Sequence, residues 1–272
     1  MPNNQKPELI EIEKVLNKYS EAYVNYNSDL IKQVVNTQVR YCYINKDTNK
    51  LYYEDRVVRD WEERIKSANK LNIKFTTFVE VIDQIGTAAI VKMRWLSERE
   101  SHTEETIDYL TLLKVNDQWL ITNKVCHSQK KDESVKREKI DDQEERKKID
   151  ATIQLYKQAF EEWDWEKIKQ SFHVDSRVIW SINDATEIFI GDIYNRWRPS
   201  FDQHQEEEDP WPKFEMKLEN IDYTGTAAYA RVKWDINRKE VVDDTTDYLT
   251  LLKFGDKWLI INKSGHTTTK KK

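Results

Sequence analysis

Residues Asp108 to His127 read DYLTLLKVNDQWLITNKVCH and residues Asp247 to His266 read DYLTLLKFGDKWLIINKSGH, identical at 14 of 20 positions at a constant offset of 139. The match continues upstream at that offset, where Lys74, Phe75, Asp83, Gly86, Ala88 and Trp95 return as Lys213, Phe214, Asp222, Gly225, Ala227 and Trp234. Nearer the start of each copy the offset is 137, pairing Tyr19, Ala22, Ile31 and Arg40 with Tyr156, Ala159, Ile168 and Arg177. A period of about 140 residues lies far above the 20–50 of solenoids and propellers and has the size of a whole domain. The chain is one domain written twice, so a residue present in both copies carries more weight than one present in a single copy.

Each copy is long enough to bury its own core, and ten Trp, thirteen Tyr and eight Phe supply large apolar area per residue. A net charge of −5 lacks the basic bias of nucleic-acid binders, so no nucleic-acid partner is expected. The only two cysteines, Cys42 and Cys126, fall in the first copy and face Ile179 and Gly265 in the second, which defines neither a disulfide framework nor a metal site. No apolar run approaches the roughly 18 residues of a membrane span, and the opening MPNNQKPE lacks the apolar core of a signal peptide. The expectation is a cytoplasmic protein with no membrane partner, exported only if a leader has been removed.

Apolar residues at helical spacing predict a first helix over Leu9 to Tyr26. Ser28 and Asp164 are candidate N-caps for a short second helix in each copy. Val39 to Asn45 and Leu51 to Glu54 read as a hairpin across KDTNK, and Asn183 and Asp184 turn its counterpart. A third helix is expected over Asp55 to Asn69, matched by Asp192 to Gln205. Strands follow over Ile73 to Asp83, Thr87 to Ser97, Thr106 to Val115 and Gln118 to His127. Helices first and mostly antiparallel strands after predict an α+β fold: two tandem cone-like domains, each a curved sheet packed against about three helices. The charged stretch from Ser128 to Lys148 reads as a solvated linker running into the second copy's first helix.

With that order of elements, the DYLTLLK, W-x-I-x-N-K and closing His pattern in both copies resembles the nuclear transport factor 2-like superfamily, which includes SnoaL-like polyketide cyclases and ketosteroid isomerases. The nearest likeness is to its group labelled Putative lumazine-binding. Ser171-Phe172-His173-Val174-Asp175 resembles a Phe-His-x-Asp stretch common there, whereas the first copy carries Val35-Asn36-Thr37-Gln38 instead. The resemblance implies domains over 8–128 and 145–268 joined by a linker over 129–144. It also makes the second copy the better candidate for a working site.

Two-residue loops at Asn116-Asp117 and Gly255-Asp256 would pair Val115 with Gln118 and Phe254 with Lys257. Counting back, Asp108 would face Val125 and Thr106 would face His127, leaving Asp108 and His127 diagonal on one sheet face, with Asp247 and His266 repeating the arrangement. A carboxylate holding a histidine is the usual way to prepare a general base; the alternative is a histidine capping the last strand beside an Asp bound to a backbone amide. On that register Trp119 and Trp258 share the face with Asn123 and Asn262, whose amides could orient a ligand carbonyl. These residues, with Trp95, Trp234, Trp180 and His173, are candidate ligand contacts, and the tryptophans could equally fill a core. Asp83 and Asp222, before Gly86 and Gly225, read as turn residues. His102 and His204 stand alone, so no metal and no cofactor are expected.

The leading functional expectation is an aromatic-lined pocket in one or both cones that binds a small apolar or aromatic molecule. One alternative is a cofactor-free isomerase, cyclase or dehydratase using the same pocket. Another is an interaction or assembly module whose cones are plugged by aromatic side chains. The two domains are expected to pair as an intramolecular pseudo-dimer, with a homo-oligomer also possible from sequence.

Overall fold

The computed structural model describes residues 6–45, 50–54, 57–131, 142–182, 186–204 and 211–272. Contacts divide the chain into two compact units, the first within residues 1–138 and the second reaching from Lys139 to Lys272. The expected turns at KDTNK and Asn183-Asp184, and most of the expected linker, lie largely outside the described residues.

Unit 1 runs α1 (Pro7–Val24), a 3-10 turn (Ser28–Leu30), α2 (Ile31–Val34), β1 (Val35–Asn45), β2 (Lys50–Glu54), α3 (Val57–Lys70), β3 (Lys74–Ile85), β4 (Ala88–Glu98), β5 (Thr103–Val115) and β6 (Gln118–Lys130). Its six strands are ordered β2-β1-β6-β5-β4-β3, with β1 parallel to β6 and the β3 to β6 meander antiparallel. Unit 2 repeats this as α4 (Asp142–Glu162), α5 (Trp165–Ser171), β7 (Phe172–Ile182), β8 (Glu187–Asp192), α6 (Ile193–His204), β9 (Lys213–Thr224), β10 (Ala227–Asn237), β11 (Val241–Phe254) and β12 (Lys257–Lys271), with the sheet ordered β8-β7-β12-β11-β10-β9. The α+β reading holds.

Local chemistry explains the elements. Ile12, Leu16, Tyr19 and Ala22 recur on one side of α1 and are all buried against the sheet. Asp164 caps α5 as expected, accepting from the amides of Glu166 and Lys167. The 3-10 turn is capped by Asn27 rather than Ser28. Asn116 and Asp117 both sit at positive φ, 48° and 61°, as a two-residue hairpin turn whose twist matches its strands demands. Asp83 is a strand residue paired with Ile90, and the turn itself falls at Gly86, φ 51°.

A staple not expected from the sequence fastens α1 and α4 to their sheets. Glu8 accepts from Lys114 Nζ at 3.0 Å and from the Trp119 indole at 2.9 Å. Glu145 accepts from the Trp258 indole at 2.9 Å and pairs with Lys253 at 2.8 Å and Lys148 at 3.1 Å. Burial pushes the Glu145 pKa up, but the three donors outweigh it and bring it down to about 2. Trp119 and Trp258 are therefore core anchors.

Candidate functional site

The final hairpin departs from the expected register at one point. Val115 pairs with Gln118 as anticipated, but a bulge leaves Thr122 unpaired, so that Thr111 faces Asn123, Asp108 faces Cys126 and Ile107 faces His127. Unit 2 bulges at Ile261, and Asp247 faces Gly265 while Thr246 faces His266. A one-residue slip exchanges the two faces of a strand. Asp108 and His127 therefore lie on opposite faces, as do Asp247 and His266, and the expected carboxylate–histidine pairs do not form. Asn123 and Asn262 likewise leave the face of Trp119 and Trp258; Asn262 donates to Ser264 Oγ at 3.1 Å.

The slip brings a lysine to each aspartate instead. Lys124 Nζ lies 2.6 Å from Asp108 Oδ2 and 3.3 Å from the Tyr19 hydroxyl, and it sits 4.9 Å from the centre of the Tyr41 ring. Lys263 pairs with Asp247 in the same way. Both aspartates are fully buried. Burial raises the Asp108 pKa, against the opposing pull of the Lys124 ammonium. Burial works against the charge of Lys124 too, but Asp108 raises its pKa overall. Lys124 and Lys263 went unnoticed as site residues because a bulge leaves no mark on a count of alternating positions.

The pair forms the floor of a cavity of about 460 Å³ in unit 1. Tyr19, Tyr23, Phe75 and Trp95 make one wall, the α3 residues Arg64, Ser67 and Ala68 with Leu71 just beyond the helix a second, and Ser97, Thr106 and Ser128 on the sheet a third. The rings of the first wall hold one another edge-on, with Tyr19 and Tyr23 each 5.2 Å from Trp95 and Tyr23 5.4 Å from Phe75. At the rim Arg99 pairs with Glu104 at 2.9 Å. Burial raises the pKa values of Tyr19, Tyr23 and Tyr41, which keeps their phenols protonated as donors. Of the expected ligand contacts, Trp95 lines this cavity.

The corresponding space in unit 2 is built differently. Where unit 1 has Val35, Ile65 and Ala68, unit 2 carries Phe172, Phe201 and His204. Phe160, the counterpart of Tyr23, meets Trp197 at 4.9 Å, Phe201 at 5.2 Å, Phe214 at 5.0 Å and Trp234 at 5.7 Å. Trp163 closes on His204 at 4.2 Å. Trp234 is thus part of a packed ring cluster. Trp180 stacks on Phe189 at 4.6 Å beside Arg196, and His173 stacks on Phe254 at 5.0 Å while accepting from the Asp175 amide. Among the described residues the cavity with these linings belongs to the first copy, whereas the matching rings of the second copy pack on one another. Among the described residues no group of three or more metal-ligating side chains occurs, and no helix is long and apolar enough to cross a membrane.

The family model described as Putative lumazine-binding matches residues 7–127 and again 144–266. The chain belongs to this family, twice over. Among solved structures it is similar to an NTF2-like protein of unknown function from Shewanella baltica OS155, at 24% identity and a TM-score of 0.39, over 47% of this chain and 96% of that one. It is also similar to one from Methylobacillus flagellatus KT, at 26% identity and a TM-score of 0.37, over 48% and 96%. No curated protein matches.

Proposed function

We propose that unit 1 binds a small, flat, largely apolar molecule in its cavity, and that unit 2 is a filled copy serving as scaffold. The observation carrying this reading is the 460 Å³ hollow itself, within the usual range of ligand pockets and walled by Tyr23, Phe75 and Trp95 over the Asp108–Lys124 floor. The family name points to lumazines, flat bicyclic rings with oxo groups, as the first ligands to try.

A turnover reading draws on the fully buried Asp108 carboxylate lining the cavity, where burial favours its protonated form. Its Oδ2, however, is bonded to Lys124, so proton abstraction would first have to break a buried ion pair. Binding is the simpler role for this geometry. The interaction-module reading expects plugged cones, which describes unit 2 but not unit 1.

The test is ligand-induced stabilisation. A ligand at 100 times its Kd adds about 2.7 kcal/mol to the unit that binds it. Lumazine and related bicyclic aromatics should raise the melting temperature of the wild-type chain. Ala68→Phe, which places a ring where unit 2 carries His204, should abolish the rise. No stabilisation by any member of the panel, or equal stabilisation of Ala68→Phe, would overturn the reading.

A further inference from the structure

A lysine that lines a ligand-sized cavity is a reactive amine as well as a counter-ion. Lys124 lines the unit 1 cavity with Asp108 and Tyr19, and its side chain is 10% exposed. Its Nζ lies 2.6 Å from Asp108 Oδ2 and 3.3 Å from the Tyr19 hydroxyl. The groups that a primary amine needs to condense with a carbonyl compound are thus together: the amine, a base to take its proton, and a phenol to hold the departing oxygen. Tyr23, Phe75 and Trp95 add a wall of rings against which an aromatic substrate can lie.

The ammonium form is not a nucleophile, and Asp108 favours that form. Burial, however, favours the acid form of Asp108, so the proton can cross the 2.6 Å bond and leave a neutral amine beside a neutral acid. Such a transfer happens inside the pair and does not pull it apart. The product of condensation is again a cation, so Asp108 regains its counter-charge and no buried charge is orphaned. A lysine in open water has neither the buried acid nor a substrate held in place.

We infer that Lys124 captures an aromatic aldehyde or an unhindered aryl ketone in the unit 1 cavity as an imine. Lys124 passes one proton to Asp108, and the lone pair on Nζ bonds to the carbonyl carbon as the C=O π bond breaks. The oxygen takes that proton back from Asp108, steadied by the Tyr19 phenol, which burial keeps protonated. Asp108 then carries a second proton from the nitrogen to the new hydroxyl, which leaves as water while the nitrogen lone pair closes the C=N bond. The end state is a protonated imine paired with the Asp108 carboxylate, plus one water; no oxidant or reductant enters. This rests on the cavity being a binding site and adds a covalent mode of capture that water reverses.

The experiment incubates the full chain near neutral pH with naphthaldehyde and sodium cyanoborohydride, which reduces an imine to a stable secondary amine, and locates the adduct by peptide mass spectrometry. A carbonyl held against an amine reacts as if intramolecular, so Lys124 should label at least about tenfold faster than Lys263 or any other lysine. In denaturing urea that preference should vanish. Ala68→Phe, which puts a ring into the cavity lining, should slow labelling of Lys124 at least about tenfold and leave the other lysines unchanged. If Lys124 labels no faster than the other lysines while bicyclic aromatics still raise the melting temperature, the imine is wrong and the cavity stands. If there is neither labelling nor stabilisation, both readings fall. Fast labelling that persists in folded Ala68→Phe, or in urea, would also overturn the inference.

Discussion

Replacing Lys124 with Met tests the physical core of the site. The substitution keeps the length of the side chain and deletes the ammonium that sits 2.6 Å from Asp108 Oδ2 and 3.3 Å from the Tyr19 hydroxyl. Asp108 is fully buried, so its carboxylate loses its only counter-charge in a medium that does not solvate it. Removing one partner of a buried pair typically costs about 3–5 kcal/mol. With urea slopes near ~2 kcal/mol/M for a domain of this size, the unfolding midpoint of unit 1 should fall by about 2 M. The loss has a pH signature. Burial already raises the Asp108 pKa, and removing Lys124 raises it further above the unfolded value, so the penalty is absent below the unfolded pKa and grows as pH rises toward the folded one. Urea unfolding followed by tryptophan fluorescence should therefore show a smaller deficit for Lys124→Met at pH 5 than at pH 7.5. The double variant Asp108→Asn, Lys124→Met, which leaves no orphaned charge, should recover more than half of the loss at pH 7.5. A deficit below about 1 kcal/mol that does not vary with pH, or a double variant less stable than the single one, would refute the reasoning.

The Glu145 staple makes a second pH-dependent contribution with the opposite sign. Its pKa falls from 4.5 to about 2 on folding, so it stabilises unit 2 above pH 4.5 and that stability, roughly 2–3 kcal/mol, is lost as pH falls toward 2; Glu145→Gln should be less stable than wild type at pH 7, with the gap closing in acid unfolding. Gly265→Ala should destabilise unit 2 by roughly 1–3 kcal/mol in the same urea assay, because its Cβ would meet the Thr246 carbonyl oxygen at 2.7 Å and crowd Asp247. Asp117→Gly should stabilise unit 1 by up to about 1 kcal/mol, since Asp117 holds a φ of 61° that glycine adopts without cost, and a thermal melt reads the gain.

The fold was legible because its signals are local and repeated. Period-2 alternation, the Asn116-Asp117 and Gly255 turns and the Asp164 cap each act within a few residues, and the second copy repeats most of them. The site was less legible because its geometry depends on one unpaired residue, Thr122 or Ile261, that shifts the register of everything after it. Asp108 was singled out as the partner of His127, but the side chain beside it is Lys124. The proposed difference between the halves turns on side-chain volumes at Val35, Ile65 and Ala68 against Phe172, Phe201 and His204, and that contrast becomes meaningful only once those positions are known to converge. The Phe-His-x-Asp stretch, which favoured the second copy, proves to be a strand start whose histidine stacks on Phe254. Glu8 and Glu145 sit at the same 137-residue offset as Tyr19 and Tyr156, so the staple was within reach of the repeat alone.

The stoichiometry of ligand binding tests the asymmetry between the halves most directly. Calorimetric titration of the full chain with lumazine should give one site per chain, lost in Ala68→Phe and kept when Phe201 of unit 2 is replaced by Leu. Two sites per chain, or one site that survives Ala68→Phe and vanishes with Phe201→Leu, would contradict the assignment of the working cavity to unit 1.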